Sequence, residues 1–277
     1  MTSPLSITST VKLSSGYTMP LLGLGVWLNR DAKRTIPLAL AAGYRHIDSA
    51  QSYGNEAEVG KGVRASGVPR SEVFVTSKIM NPNHGYESTL RGVEASIRRF
   101  GFDYLDLFLI HDPMSGSKRR LDTYRALLEL RDKGKLKSVG VSNYGIRHLE
   151  EIQKAGMELP AVNQIEIHPF CQQRPIAAWC REHNIVVQAY CPLIRGRMDD
   201  PIIVNVAKKH DRDPAQILIR WSLQHGFVPL PKSSNPARIK SNAEVYDFEL
   251  DKEDMDALDS LDQGAQGAIS WNPVDHP

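Results

Sequence analysis

The sequence has only three cysteines, and their spacing is typical of neither a metal site nor a disulfide framework. Cys171, Cys180 and Cys191 lie nine and eleven residues apart. Zinc sites built on cysteine generally use CxxC pairs, and small disulfide-stabilised domains use an even number of cysteines. We therefore expect three reduced, buried thiols and no bound metal.

Long apolar runs and strong net charge are also missing. No segment approaches the roughly 20 apolar residues needed to cross a bilayer, and the first residues, MTSPLSITSTVKL, lack the basic and apolar regions of a signal peptide. The net charge of +2 and the single short basic run at 118–120 do not favour nucleic acid as a partner. We expect a cytoplasmic protein that binds neither membrane nor nucleic acid.

No linker rich in serine or proline divides the chain, so we expect one domain covering residues 1–277. Roughly 250 residues is typical of a single α/β barrel. Short apolar runs rich in β-branched residues alternate with longer amphipathic segments. The eight runs interpreted as strands are 21–25, 44–48, 73–78, 105–111, 136–142, 162–165, 186–190 and 227–232. The segments interpreted as helical are 31–42, 56–66, 86–100, 123–133, 146–154, 174–183 and a longer region at 201–225.

Eight apolar strands alternating with helices favour a parallel sheet covered on its faces. An open, doubly wound sheet would normally carry GxGxxG after its first strand, but Gly23 and Gly25 are not followed by a third glycine at that spacing. The sequence therefore favours a closed (β/α)₈ TIM barrel. Residues 11–18 precede it and are predicted to form a small β-hairpin that plugs the bottom of the barrel.

Polar residues stand at the carboxyl ends of the predicted strands, and in a (β/α)₈ barrel these ends converge on the face that carries the active site. The residues at these ends are Gly25, Asp48, Lys78, His111, Ser142 with Asn143, Gln164, Tyr190 and Lys232. A single such residue is commonly a cap or a turn former. Titratable side chains from several strand ends together predict an active site.

Six stretches, in order along nearly the whole chain, resemble the aldo-keto reductase family. They are GLGVW at 23–27, GYRHIDSAQSYGNE at 43–56, LDLFLIHDP at 105–113, GVSNY at 140–144, NQIEIHP at 163–169 and PKSSNPARIKSN at 231–242. The short segment 194–200 and the brief tail after residue 261 resemble the compact microbial members, such as 2,5-diketogluconate reductases. This resemblance implies reduction of an aldehyde or ketone carbonyl, with a small molecule as substrate and a monomer as the working unit.

The resemblance also implies a catalytic tetrad of Asp48, Tyr53, Lys78 and His111. Tyr53 would be the general acid, although an unperturbed phenol has a pKa of about 10. The ammonium of Lys78 is expected to lower that pKa, and Asp48 is expected to compensate the charge of Lys78 inside the barrel. His111 would donate a hydrogen bond to the carbonyl oxygen and orient the substrate.

NADPH is the cofactor that the resemblance implies. Ser142, Asn143 and Gln164 would hold the nicotinamide carboxamide, Tyr190 would stack on the ring, and Asp48 would contact the ribose. The two cations Lys232 and Arg238 and the hydroxyl of Ser233 suit the 2′-phosphate dianion of NADPH better than the free 2′-hydroxyl of NADH. The remaining contacts implied for the cofactor are Leu193 near the pyrophosphate, Lys232, Ser233 and Arg238 at the 2′-phosphate, and Asn242 at the adenine.

Departures from the family pattern bear on the substrate pocket. Met80 and Asp112 occupy positions where tryptophan is common in this family, so together with Trp27 and His111 they are predicted to line a wider and more polar pocket. Asp112 could equally be a helix cap or a loop hydrogen-bonding residue before Pro113. Trp271 could fold over the opening.

Three other functions are compatible with parts of the sequence. A metal hydrolase would need clustered His and carboxylate ligands, which the spacing does not provide. A Schiff-base aldolase could use Lys78 but would not need Lys232 and Arg238. Some relatives of aldo-keto reductases bind nucleotide with little turnover and act as regulatory or structural proteins, and this remains the main alternative.

Overall fold

The computed structural model describes residues 5–277, and eight parallel strands form its main sheet. The strands pair with one another in the order in which they occur along the chain. The strands are β3 (Leu24–Gly25), β4 (His46–Asp48), β5 (Phe74–Ile79), β6 (Leu105–Ile110), β7 (Leu136–Ser142), β8 (Val162–Glu166), β9 (Val186–Tyr190) and β10 (Val228–Pro229). All eight predicted strands are confirmed.

The two edge strands meet and close the sheet into a barrel. The amide of Gly23 donates to the carbonyl of Pro229 at 3.1 Å, and that of Gly25 donates to Pro231 at 3.0 Å. The first and last strands are shorter than predicted. Pro229 and Pro231 have no amide hydrogen, so the last strand can accept bonds but cannot return them at these positions.

An N-terminal hairpin covers the amino end of the barrel, as predicted. Strands β1 (Thr10–Lys12) and β2 (Thr18–Pro20) pair antiparallel. Leu13 and Met19 are buried and pack in one cluster with barrel residues that include Leu107 and Leu109. Because side chains alternate along a strand, Phe108 and Ile110 face the other way and join the cluster between the sheet and the helices.

Ten helices accompany the strands within residues 5–277. They are α1 (Ala32–Ala41), α2 (Glu56–Ala65), α3 (Tyr86–Phe100), α4 (Ser117–Asp132), α5 (Ile146–Lys154), α6 (Arg174–Glu182), α7 (Pro201–His210), α8 (Pro214–Gln224), α9 (Pro236–Ala243) and α10 (Lys252–Asp259). No helix in this part of the chain is long and apolar enough to cross a membrane.

Helix boundaries depart from the prediction in three places. Helix α4 begins six residues before the predicted start at 123, so it includes the basic run at 118–120. The long segment 201–225 contains two helices, because Asp211 adopts a left-handed φ of 52° and Pro214 starts a new helix. Helices α9 and α10 were not predicted; the side chains of Asn235 and Asp251 cap their first turns.

Candidate active site

A cavity of about 1250 Å³ opens at the carboxyl ends of the barrel strands. Every residue predicted for catalysis, cofactor binding or substrate binding lines it, apart from Lys78, whose side chain is completely buried. The parallel direction of the strands explains this convergence, because their carboxyl ends all lie at the same face of the barrel.

Lys78 and Asp48 form a buried ion pair at the base of the cavity. The Nζ atom donates to Asp48 Oδ1 at 2.5 Å and to the carbonyl of Ser49 at 2.9 Å. Burial lowers the pKa of Lys78, but Asp48 and Tyr53 more than offset that effect, so the pKa lies above its usual value. The amine is therefore an ammonium at neutral pH, as the sequence argument required.

Tyr53 lies on a 3₁₀ turn, Gln51–Tyr53, that follows β4. Lys78 Nζ is 5.1 Å from the centroid of its ring. Burial raises the pKa of the phenol more than Lys78 lowers it, and Asp48 adds to the rise, so the net pKa is above the usual value. Lys78 thus acts on the pKa in the predicted direction, but desolvation, which the sequence does not reveal, has the larger effect and prevents a net lowering.

His111 follows β6 and faces Tyr53, with 5.9 Å between ring centroids and an edge-on arrangement. Its Nδ1 lies 3.4 Å from Ser52 Oγ. Burial lowers the pKa of His111 to about 3, and the charge of Lys78 acts in the same direction. The imidazole is therefore neutral near pH 7 and carries one hydrogen-bond donor.

Four polar side chains beside the Lys78–Asp48 pair are held in place by hydrogen bonds. Gln164 Nε2 donates to Asp48 Oδ2 at 2.9 Å, and Ser142 Oγ donates to the carbonyl of Gln164 at 2.8 Å. Tyr190 donates its hydroxyl to Asn143 Oδ1 at 2.8 Å. These side chains form a pre-ordered polar wall on the β7, β8 and β9 side of the cavity.

Positive charge lies along the part of the cavity lining that follows β10. Lys232 and Arg238 are exposed, and Ser233 and Asn242 are buried beside them. Asn235 accepts hydrogen bonds from the amides of Ala237 and Arg238 at 2.9 and 3.3 Å. This cap fixes the start of α9, the helix that carries Arg238 and Asn242.

Asp112 occupies both of the roles considered for it. Its Oδ1 accepts from the amide of Met114 at 2.9 Å and from Asn81 Nδ2 at 3.2 Å, which is the predicted loop hydrogen bonding. It also lines the cavity beside Met80. Asp112 is only 4% exposed, and both of these hydrogen bonds hold the loop.

Arg195 is a cavity residue that the sequence argument missed. Its guanidinium lies 5.1 Å from the ring of Trp27, and Nη2 donates to Ser270 Oγ at 3.3 Å. Cys191, Ile194 and Arg195 all have φ between 50° and 52°, a conformation that non-glycine residues rarely adopt. Nothing in the local sequence predicts this backbone conformation. A basic residue within the short segment 194–200 was nevertheless a signal that could have pointed to Arg195.

The C-terminal strap, residues 268–277, crosses the mouth of the cavity. Trp271 packs edge-on against His111, with 6.1 Å between ring centroids, which places it over the opening as expected. At the far end His148 Nε2 donates to the carbonyl of His276 at 2.7 Å. A Cβ on Gly145 would lie 2.2 Å from the carbonyl oxygen of Val274, so glycine permits the close approach.

Comparisons with known proteins agree with this geometry. The family model described as "Aldo/keto reductase family" matches residues 22–263. A 9,11-endoperoxide prostaglandin H2 reductase of Trypanosoma cruzi is 45% identical, with 91% of each chain covered. A glyoxal reductase of Bacillus subtilis is 44% identical over 94% of this chain and 95% of its own.

Solved structures give the same result. An aldo/keto reductase from Brucella melitensis is 43% identical with a TM-score of 0.88, covering 92% of this chain and all of its own. A Bombyx mori aldo-keto reductase in complex with NADP is 31% identical with a TM-score of 0.90, covering 99% of both chains. With sequence, barrel and relatives in agreement, the chain belongs to the aldo/keto reductase family, a family of oxidoreductases.

Proposed function

We propose that this protein reduces aldehyde or ketone carbonyls to alcohols with NADPH. The observation that carries the proposal is the convergence, at one point of the cavity, of a charged Lys78, a protonated Tyr53 and a neutral His111. A phenol and an imidazole side by side offer two hydrogen-bond donors to one oxygen atom, which is what a carbonyl needs as it becomes an alkoxide.

The residues present fit NADPH. The polar wall of Ser142, Asn143 and Gln164 offers hydroxyl and amide groups suited to a carboxamide, beside the ring of Tyr190. Lys232 and Arg238, which line the same cavity, suit a phosphate dianion, and Leu193 and Asn242 line it as well. The NADP complex of the Bombyx mori relative supports the same cofactor.

Proton transfer in this proposal runs through Tyr53. A bound reduced nicotinamide would supply the hydride to the carbonyl carbon. His111 donates a hydrogen bond that orients the carbonyl, and Tyr53 gives its proton to the developing alkoxide. The resulting phenolate is stabilised by the ammonium of Lys78, which Asp48 keeps charged. The raised pKa of Tyr53 keeps this donor protonated before each turnover.

The test follows NADPH absorbance over a panel of aldehydes, α-ketoesters, 1,2-dicarbonyls and sugars. Replacing Tyr53 by Phe should lower kcat by roughly 10²- to 10⁴-fold while NADPH still quenches tryptophan fluorescence. Full activity in Tyr53→Phe would show that the proposed acid is wrong. Binding of NADPH without turnover of any carbonyl would favour the regulatory alternative, and borohydride trapping of substrate on Lys78 would favour an aldolase.

We further propose that a single chain is the working unit and that the described residues, 5–277, fold as one domain; the first four residues of the domain predicted for 1–277 lie outside the described part. Every group assigned above comes from one copy of the chain, and the first and last barrel strands bond to each other. Size-exclusion chromatography with light scattering should give the mass of a monomer. Denaturant should unfold the protein in a single cooperative transition.

A further inference from the structure

Glu166, at the end of β8, is a buried carboxylate outside the proposed tetrad. It and His168 are both completely shielded from solvent. Its Oε1 accepts from His168 Nε2 at 2.9 Å and from the amide of Ile269 at 2.6 Å. Its Oε2 accepts from the amide of Ser270 at 3.1 Å. A buried carboxylate is costly unless such donors compensate it, and two of these three donors are backbone amides of the strap.

These two amides lie immediately before Trp271. The indole packs against His111, lines the cavity and is nevertheless 45% exposed. Trp221, by contrast, is 1% exposed in the core. Trp27 and Leu28 are also exposed and line the same cavity. The indole therefore belongs to an apolar lining beside the proposed carbonyl site, and an exposed apolar patch of this kind points to contact with a ligand.

The strap has a second attachment beyond Trp271. His148 donates from Nε2 to the carbonyl of His276 and accepts at Nδ1 from the amide of Gly145 at 3.0 Å. Arg147 donates to the same carbonyl of His276. Trp271 therefore lies between two attachments of the strap backbone, at Glu166 and at His148. Two longer side-chain bonds also reach its neighbours, from Arg195 to Ser270 at 3.3 Å and from Gln173 to Asn272 at 3.4 Å.

We propose that Glu166 is a positioning residue that fixes Trp271 against His111 and so gives the enzyme a preference for carbonyl compounds bearing a flat aromatic group next to the carbonyl. This inference rests on the proposed function. Glu166 acts through the strap, and the indole forms the wall that an aromatic substituent packs against.

Glutamine cannot replace Glu166 without loss, whichever way its amide points. With its oxygen at the Oε1 position, its NH₂ faces the amide of Ser270. With its NH₂ at the Oε1 position, it faces the amide of Ile269, even if His168 changes tautomer to accept from it. In both orientations one strap amide loses its acceptor. Glu166→Gln should therefore release the strap locally with little change in side-chain volume.

The experiment is a double-mutant cycle of Glu166→Gln and Trp271→Ala, read as the ratio of kcat/KM for phenylglyoxal to kcat/KM for methylglyoxal with NADPH. Each single variant should lower the ratio by roughly fivefold, the equivalent of one lost aromatic contact. Glu166→Gln should have no further effect in the Trp271→Ala background, since it acts only through the indole.

Amide hydrogen exchange supplies a readout that does not depend on turnover. The amides of Ile269 and Ser270 should exchange roughly tenfold faster or more in Glu166→Gln. Asp106→Asn is the matched control: this buried carboxylate lies at the opposite end of the barrel, where it accepts from the amide of Val75 and from Lys137. It should change neither the ratio nor exchange in the strap.

Two outcomes would overturn the proposal. The first is that Glu166→Gln changes the ratio equally in the wild-type and Trp271→Ala backgrounds. The second is that Trp271→Ala, which leaves the buried carboxylate intact, does not change the ratio. If the wild type fails to oxidise NADPH with any of the carbonyl compounds tested, the proposed function fails instead. In that case unchanged exchange in Glu166→Gln would still refute the anchoring role.

Discussion

Lys78 Nζ lies 2.5 Å from Asp48 Oδ1, and the two side chains are 0% and 4% exposed. The ammonium also donates to the backbone carbonyl of Ser49 and lies 5.1 Å from the centroid of the Tyr53 ring. The pair is therefore the only charge compensation that Lys78 has within residues 5–277.

Replacing Asp48 by Asn should destabilise the fold by about 3 to 5 kcal/mol, because it leaves a buried ammonium without a counter-charge. It should also lower the pKa of Lys78 and reduce kcat. Urea unfolding, monitored by circular dichroism, measures the stability change. An unaltered unfolding midpoint would mean that the ammonium is compensated by other groups.

The rate of carbonyl reduction should be insensitive to pH between roughly pH 5 and 8, the range in which an ordinary histidine titrates. The pKa of His111 is about 3, so the imidazole stays neutral, and the raised pKa of Tyr53 keeps the phenol protonated. A kcat/KM profile measured with one aldehyde would test this. An acid limb with a midpoint near 6.5 would contradict the neutral assignment of His111.

Stability, in contrast, should fall in acid. Burial lowers the pKa of His46 to about 4 and that of His111 to about 3, whereas both histidines titrate near 6.5 in the unfolded chain. Below that pH the unfolded state binds more protons than the folded state, so unfolding becomes easier as the pH falls. From pH 7 to pH 5 the two sites together should remove about 4 kcal/mol.

Denaturant unfolding at the two pH values measures this loss, and His46→Gln is the informative variant. Removing one of these two sites should take away about half of their joint contribution to the pH dependence. If the free energy of unfolding were the same at both pH values, neither histidine would be buried in its neutral form.

Arg238→Ala should raise KM for NADPH by roughly 10- to 100-fold, the effect of one lost hydrogen bond to a charged group. KM for NADH should change little, because NADH has no 2′-phosphate. Parallel kinetics with the two cofactors provide the comparison. Equal effects on both would place Arg238 away from the 2′-phosphate.

Gly145→Ala should detach the far end of the strap, because its Cβ would come within 2.2 Å of the carbonyl oxygen of Val274. Hydrogen exchange should rise across residues 272–277 while Ile269 and Ser270, bonded to Glu166, stay protected. Uniform loss of protection along the whole strap would show that the two anchors are not independent.

The barrel was predictable because strands and helices alternate with clear apolar patterns, and because the strand ends carry the polar residues. Lys78 shows what the sequence could not predict. Its position at a strand end followed from the apolar pattern, but the net pKa of Tyr53 beside it depends on how much water the fold excludes, and no local pattern encodes that. Glu166 lies within a quoted motif yet was passed over, since its partners Ile269 and Ser270 are about a hundred positions away. Helices α9 and α10 were missed because each spans only eight residues, about two turns of apolar pattern.

The bonds that close the barrel join Gly23 to Pro229, 206 positions along the chain. Closure of such a long loop comes late in folding, since the entropy of bringing distant segments together must be met first. As the chain emerges during synthesis, all four residues of the proposed tetrad are present by position 111, well before the last strand. For that interval the chain holds the components of an active site with no closed ring to bring them together.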